Sequence, residues 1–260
     1  MAGSILYCGD TDQNGAASYL SGLMALWGWP FDYVPSHVPI PAKLLEVPRS
    51  LIILSDYPSA RFDLDCQQLA IKQVEQGCGL LMIGGWESFH GFGGDWDGTV
   101  LGSALPVEIQ TRDDRVNFDQ SAWLIPCFDH AITEGLPWYS SPPAIGGMNR
   151  VRAKGGTSIV MEAHSFAISV AEPADKGETR LPTLSLSPRE TLLALVVGQR
   201  GMGRTAAFLS DVAPHWVGGF VDWGMPRVSA QAPNAGAIEV GGHYARFWKQ
   251  LLEWTANCRR

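Results

Sequence analysis

Cys78-Gly-Leu-Leu-Met-Ile-Gly-Gly-Trp-Glu-Ser-Phe-His-Gly-Phe-Gly-Gly94 carries the reading of this 260-residue chain. The apolar run Leu80–Ile83 breaks into paired glycines and then a polar, aromatic, glycine-rich loop. A strand buried on both faces, ending in a loop at its carboxyl edge, has this pattern, and open α/β sheets bind ligands at that edge.

Outward from this stretch, strand and helix signals alternate. Ile5–Cys8 is a short apolar run closed by Gly9-Asp10. Ala16, Leu20, Leu23 and Leu26 or Trp27 recur at helical spacing, predicting a helix over 16–27. Phe31–Val34 and Leu51–Leu54 read as strands, the second ended by Ser55-Asp56-Tyr57-Pro58. Asp65–Gln76 reads as a helix stopped by Gly77. This rhythm predicts a parallel sheet with right-handed crossovers.

The middle is less regular. Pro106–Gln110 and Arg115–Phe118 read as short edge strands, and Pro126–Trp138 as a loop or short helix. Gly146–Val151 resumes a strand, and Ser158–Met161 with Phe166–Val170 reads as a strand pair. Glu172–Pro188 is polar and proline-bearing, an expected exposed excursion. Leu192–Val197 and Thr205–Leu209 read as strands joined by a hairpin turn over Gly198–Gly203. Val228–Gly242 reads as a loop, and Tyr244–Ala256 as a closing amphipathic helix. The economical organisation is one α/β domain over 1–260 with a β-rich insertion at about 106–190.

Composition narrows the function classes. A formal charge of −7 without a long basic run argues against a nucleic-acid surface and against docking on an anionic membrane. No apolar run is long enough to span a bilayer. The first strand begins at once, with no basic and apolar leader before it, so a cytoplasmic location is expected. Five scattered cysteines without a C-x-x-C pair fit reduced thiols and support neither a zinc ribbon nor a redox motif. The ten tryptophans suit core and core-edge packing, and leave room for self-association into a homo-oligomer.

The polar groups sit at strand ends: Gly9-Asp10-Thr11-Asp12, Ser55-Asp56-Tyr57, Gly84-Gly-Trp-Glu-Ser-Phe-His90, and Ser210-Asp211 through His215. A parallel sheet would bring them to one edge. Gly84 and Gly85 permit a sharp turn whose N–H groups would face an anion or oxyanion. Glu87, Asp211 and His215 supply acid or base groups. Gly198-Gln-Arg-Gly-Met-Gly203 joins two apolar runs and precedes no helix, so it reads as a β-turn and not a phosphate loop. The histidines and aspartates His90, His130, His215, His243, Asp129 and Asp211 lack tight ligand spacing, so no metal ligand set and no cofactor is assigned. Asp95-Trp-Asp-Gly98 offers too few ligands for calcium.

The chain resembles the class I glutamine amidotransferase-like superfamily, and within it the uncharacterised amidotransferase-like branch. The segments that carry the resemblance are Leu80–Phe89, Gly98-Thr99 through Leu105-Pro-Val107, His130–Trp138, Asn149-Arg-Val151, Gly203-Arg204, Ser210–Trp216, Tyr244–Trp248 and Trp254. The resemblance implies a flavodoxin-like sheet. It also implies a nucleophilic cysteine on a strand-to-helix elbow, with a histidine and a glutamate after a late strand. The elbow falls at Gly84–Glu87, where there is no cysteine, and Cys78 precedes the strand. His215 stands where the late histidine is expected, but two places on is Val217 and not a carboxylate.

The expectation is therefore a divergent member without glutaminase chemistry. It would bind a small polar molecule with Asp10, Asp56, Gly85, Trp86 and Ser88. The alternative is a hydrolase or sugar-modifying enzyme using Glu87, Asp211 and His215, with or without a metal. Ser88 as a replacement nucleophile and Cys8 as a reactive thiol are both set against blander roles, a turn residue and a small apolar core residue.

Overall fold

The computed structural model describes residues 4–171 and 183–258. Its sheet begins with five parallel strands: β1 (Ile5–Gly9), β2 (Phe31–Val34), β3 (Leu51–Ser55), β4 (Gly79–Ile83) and β11 (Gly203–Phe208). They lie in the order β2-β1-β3-β4-β11, the 2-1-3-4-5 arrangement of flavodoxin-like sheets. Every residue of β1, β3 and β4 is buried, which is why these strands read as unbroken apolar runs and not as alternating ones.

The connecting helices are α1 (Ala17–Leu26) and α2 (Leu64–Glu75), with α3 (Pro214–Val221) and α4 (Gly242–Thr255) near the end of the chain. Asp63 caps α2 by accepting a hydrogen bond from the Cys66 N–H at 2.8 Å. The apolar stripe of α4 packs toward β4 and β11. There Phe208, Phe220, Phe247 and Trp248 form an aromatic cluster with ring centroids 5.2–6.1 Å apart. Trp138 and Trp223 join it at 4.5 Å from one another. Most of the tryptophans take such core and core-edge positions, while Trp86 remains 54% exposed.

Beyond β11 the sheet changes character. β10 (Thr183–Arg200), β9 (Ser158–Ala171), β6 (Arg115–Pro126) and β7 (Ala144–Asn149) continue it in that order, each antiparallel to the last. β6, β7, β9 and β10 thus extend the parallel sheet into one mixed, nine-stranded sheet among the described residues. An open edge at β11 would leave a row of unpaired backbone groups, and β10 covers it.

Several local expectations need correction. Arg115–Phe118 is not a short strand but the start of a twelve-residue one, which pairs with β7 over Arg115–Asn117 and with β9 only over Trp123–Pro126. Ser158–Met161 and Phe166–Val170 belong to one strand. Residues 161–166 alternate between buried and half-buried without a break, and the polar Glu162 and His164 occupy the less buried face. Of the expected excursion Glu172–Pro188, residues 172–182 lie outside the described residues, and 183–188 are the beginning of β10. The 198–203 turn tightens to Gly201-Met202, with Gly201 at φ 57°.

Val228–Gly242 contains a two-stranded antiparallel sheet, β12 (Arg227–Ala230) with β13 (Ile238–Gly241). Four-residue strands inside a Gly/Ala/Pro-rich stretch leave no periodicity to read. A further small pair, β5 (Val107–Glu108) with β8 (Arg152–Ala153), stands apart from the main sheet. Helix α3 also escaped the reading. It is only eight residues long, contains Gly218-Gly219, and departs from helical geometry at Val217.

Candidate functional site

The carboxyl ends of β1, β3, β4 and β11 lie along one edge of the sheet, and the strand order reverses between β1 and β3. β1 closes at Gly9, whose φ of 137° and contact with the Ser55 carbonyl leave no space for a Cβ. Asp10 follows at φ 52° and Asp56, after β3, at φ 44°; both are left-handed, which is uncommon for residues with a side chain. The Asp10 N–H donates to the Ser55 carbonyl at 2.9 Å, locking the two strand ends together.

The Asp10 carboxyl group is buried. Its Oδ2 accepts a hydrogen bond from the Tyr7 hydroxyl, and its Oδ1 has no partner. Burial raises the Asp10 pKa well above the usual carboxylate range, and the neighbouring Asp211 and Asp56 charges raise it further. The nearby Ser55 hydroxyl offsets a little of this, yet Ser55 Oγ and Asp10 Oδ1 both lack a hydrogen bond of sound geometry. Burial, then the Asp211 charge, pushes Asp56 up to about 7.

The loop after β4 is held by groups distant in sequence. Gly84 N–H donates to the Phe208 and Ser210 carbonyls at 2.8 and 2.9 Å. Gly85 N–H donates to Asn149 Oδ1 at 2.9 Å, and Asn149 Nδ2 returns bonds to the Gly85 carbonyl and to Asp114 Oδ1. Asp114 in turn accepts from the His90 and Gly91 N–H groups. The expectation that the glycine N–H groups face an anion is therefore corrected: both are committed within the protein.

The other sequence-selected residues take distinct places. Asp56 Oδ1 accepts from the Glu87 N–H at 2.7 Å. Ser88 Oγ donates to the Ile83 carbonyl at 2.6 Å and accepts from the Asp56 N–H at 3.0 Å, as a turn-forming residue does. Glu87 is half-buried, and burial raises its pKa. Trp86 points outward, with the Arg115 guanidinium 4.4 Å from its ring centroid and Phe92 on the same guanidinium at 5.1 Å.

Asp211, after β11, is buried, and its Oδ1 accepts from the Val212 and Ala213 N–H groups at the entrance to α3. His215, one turn on, is an exposed imidazole with Nδ1 3.7 Å from Asp211 Oδ2. That is an ion-pair distance and not a hydrogen bond. The Asp211 carboxylate nevertheless raises the His215 pKa. Asp10, Asp56, Asp211 and His215 thus influence one another electrostatically at one edge. Surface clefts of about 530, 480 and 580 Å³ lie elsewhere, beside Arg49 and Gln73, Phe128 and Trp138, and Arg112 and Arg150.

Cys8 is buried in β1 and burial raises its thiol pKa, as it does for Cys78 just ahead of β4, pushed up to about 12. Cys66 lies in α2, Cys127 follows β6 and Cys258 follows α4. Among the described residues the one group of three metal-ligating side chains with donor atoms within 4.8 Å is His90, Asp95 and Asp97. There the imidazole already pairs with Asp97 at 2.6 Å.

The family model described as "Putative glutamine amidotransferase" matches residues 50–189. The chain belongs to that family. This glutamine amidotransferase-like chain is also similar to solved structures. Cytoplasmic protein STM1381 from Salmonella typhimurium LT2 is 26% identical, with 97% of this chain and 99% of that one covered and a TM-score of 0.71. Cytoplasmic protein STM3548 from Salmonella typhimurium is 23% identical over 96% and 98%, with a TM-score of 0.69. No curated protein matches. Among the described residues of this amidotransferase-like fold, no helix is long and apolar enough to cross a membrane.

Tyr7 and Asp114 were absent from the sequence-based site. Tyr7 reads as one more apolar strand residue, and the Asp114–Asn149 contact spans 35 positions, with no local pattern to reveal it.

Proposed function

We propose that this protein binds a small polar molecule at the carboxyl edge of the sheet, between the ends of β1, β3 and β11, and carries out no thiol-based glutamine hydrolysis. The observation that carries the proposal is the buried, partnerless Oδ1 of Asp10 beside Asp56 and Asp211. An unsatisfied buried acceptor costs about 1–3 kcal/mol, and here it belongs to one left-handed aspartate beside another, Asp56. Costs concentrated at one sheet edge, at the reversal of strand order, favour a ligand site over a purely structural one. Asp10 and Asp56, raised in pKa, can each donate as well as accept when protonated, so a neutral polar ligand with hydroxyl or amide groups would suit them. Asp10, Asp56 and Asp211 would receive it, with Gly85 and Ser88 shaping the floor and Trp86 at the rim.

Isothermal titration against a panel of small polyols, amines and amino acids tests this reading. Binding by the wild type that Asp10→Asn abolishes is expected. A panel with no binder, or a binder indifferent to Asp10→Asn, counts against it. Incubation with glutamine should release no ammonia above a protein-free blank. Release that Cys8→Ala removes would restore the amidotransferase chemistry.

A second reading, hydrolysis, is favoured by the exposed His215 imidazole held beside Asp211, with Glu87 raised in pKa nearby. It requires turnover of an ester or glycoside substrate that His215→Ala eliminates while binding persists.

A further inference from the structure

The two longest strands run past the body of the sheet. β10 pairs with β11 only over Leu195–Arg200, and β9 pairs with β6 only over Met161–His164. Outside those limits, 166–171 and 183–188 pair with each other in a two-stranded ribbon, with Ile168 opposite Leu186 and Val170 opposite Leu184. Side chains directly opposite in a ladder, and those two residues apart along a strand, share a face. Ile168, Val170, Leu184 and Leu186 therefore form one apolar face, and they are 45, 59, 66 and 50% exposed. The other face carries Ala167, Ser169, Ser185 and Ser187. At the base the apolar face continues into the Trp123–Phe166 ring contact at 4.6 Å.

Strict alternation of this kind marks a strand with one face covered, yet in the single chain nothing among the described residues covers it. A lone two-stranded ribbon is at best marginally stable in water.

We infer that this face is the contact between two copies of the chain. The four side chains expose roughly 400 Å² of apolar surface per copy, the size of the largest, often functional, patch on a monomer. Two such faces together would bury about 800 Å², near the ~1,000 Å² floor of a specific interface before any flanking polar surface is counted. A flat apolar face is its own complement. A two-fold axis presents it with an identical partner, and the two ribbons stack as a small four-stranded sandwich.

Light scattering on the eluting 260-residue chain tests this. The wild type should show twice the 28.2 kDa chain mass. Leu184→Glu with Leu186→Glu should show the single-chain mass with an unchanged circular dichroism spectrum, reflecting at least ~100-fold weaker association from like charges forced together. Ser185→Glu, on the opposite face, should remain dimeric. If the double glutamate variant fails to fold, Ile168→Thr with Val170→Thr keeps the strand propensity and should also weaken the dimer. Amides of 183–187 should exchange faster on dilution of the wild type. A wild type of single-chain mass at every concentration, or a dimer that survives the glutamates, overturns the inference.

Discussion

Gly85 lacks a side chain where the Asp56 carboxylate fills the space a Cβ would take. Gly85→Ala must push that carboxylate away from the Glu87 N–H it accepts from. A loss of about 1–3 kcal/mol is expected in urea unfolding. Asp211 acts on two neighbours at once, caging the start of α3 and charging His215. In Asp211→Asn the His215 pKa should fall back toward about 6.5. A proton NMR titration of the imidazole reads this directly, and an unchanged midpoint would show that another group holds His215. The residue types at these positions were legible: acidic residues and glycines after apolar runs. What each side chain does was not, because Ser88 and Gly85 are satisfied by partners that no spacing rule connects to them.

At the scale of elements, the loop after β4 owes its shape to β7. Asn149, the last residue of that strand, is fully buried and bonds both backbone groups of Gly85. Asn149→Leu would leave the Gly85 N–H and carbonyl and one Asp114 oxygen without this partner. The expected penalty is about 2–4 kcal/mol by denaturant unfolding, with faster hydrogen exchange through 85–91 than in β1 or β3. The parallel strands β1, β3 and β4 were legible as unbroken apolar runs because burial on both faces demands them. β6, β9 and β10 were read as fragments because a long antiparallel strand crosses several environments, and its pattern changes where its partners change. β12, β13 and α3 are too short for their periods to show.

For the whole molecule, the clustered carboxyl groups make stability depend on pH. Asp56 is raised to about 7 and burial raises Asp10 well above the ordinary carboxylate range, so the fold favours the protonated form of both. Their contribution is full below the ordinary carboxylate range, and it is lost as pH climbs through the folded-state values. His215, also raised, has the same sign. The protein should therefore lose stability as pH rises above about 4, through about 7 where Asp56 titrates, with the His215 and Asp10 shares lost as pH passes their own raised values. Asp10→Asn should be more stable than the wild type at about pH 8, where an ionised Asp10 is most costly. Thermal melts across that range check both statements, and a curve that rises with pH would contradict them.

The order of apolar runs and breaks was enough to determine the parallel α/β core and the edge at which polar loops gather, since burial and chain direction are written locally. Tertiary structure alone decided that the glycine N–H groups are already used, that the β-rich stretch extends the same sheet, and that Asp10 faces two other acids without a partner for one oxygen. Each of these depends on contacts between residues tens of positions apart, and a hydrogen bond across such a distance leaves no period in the chain.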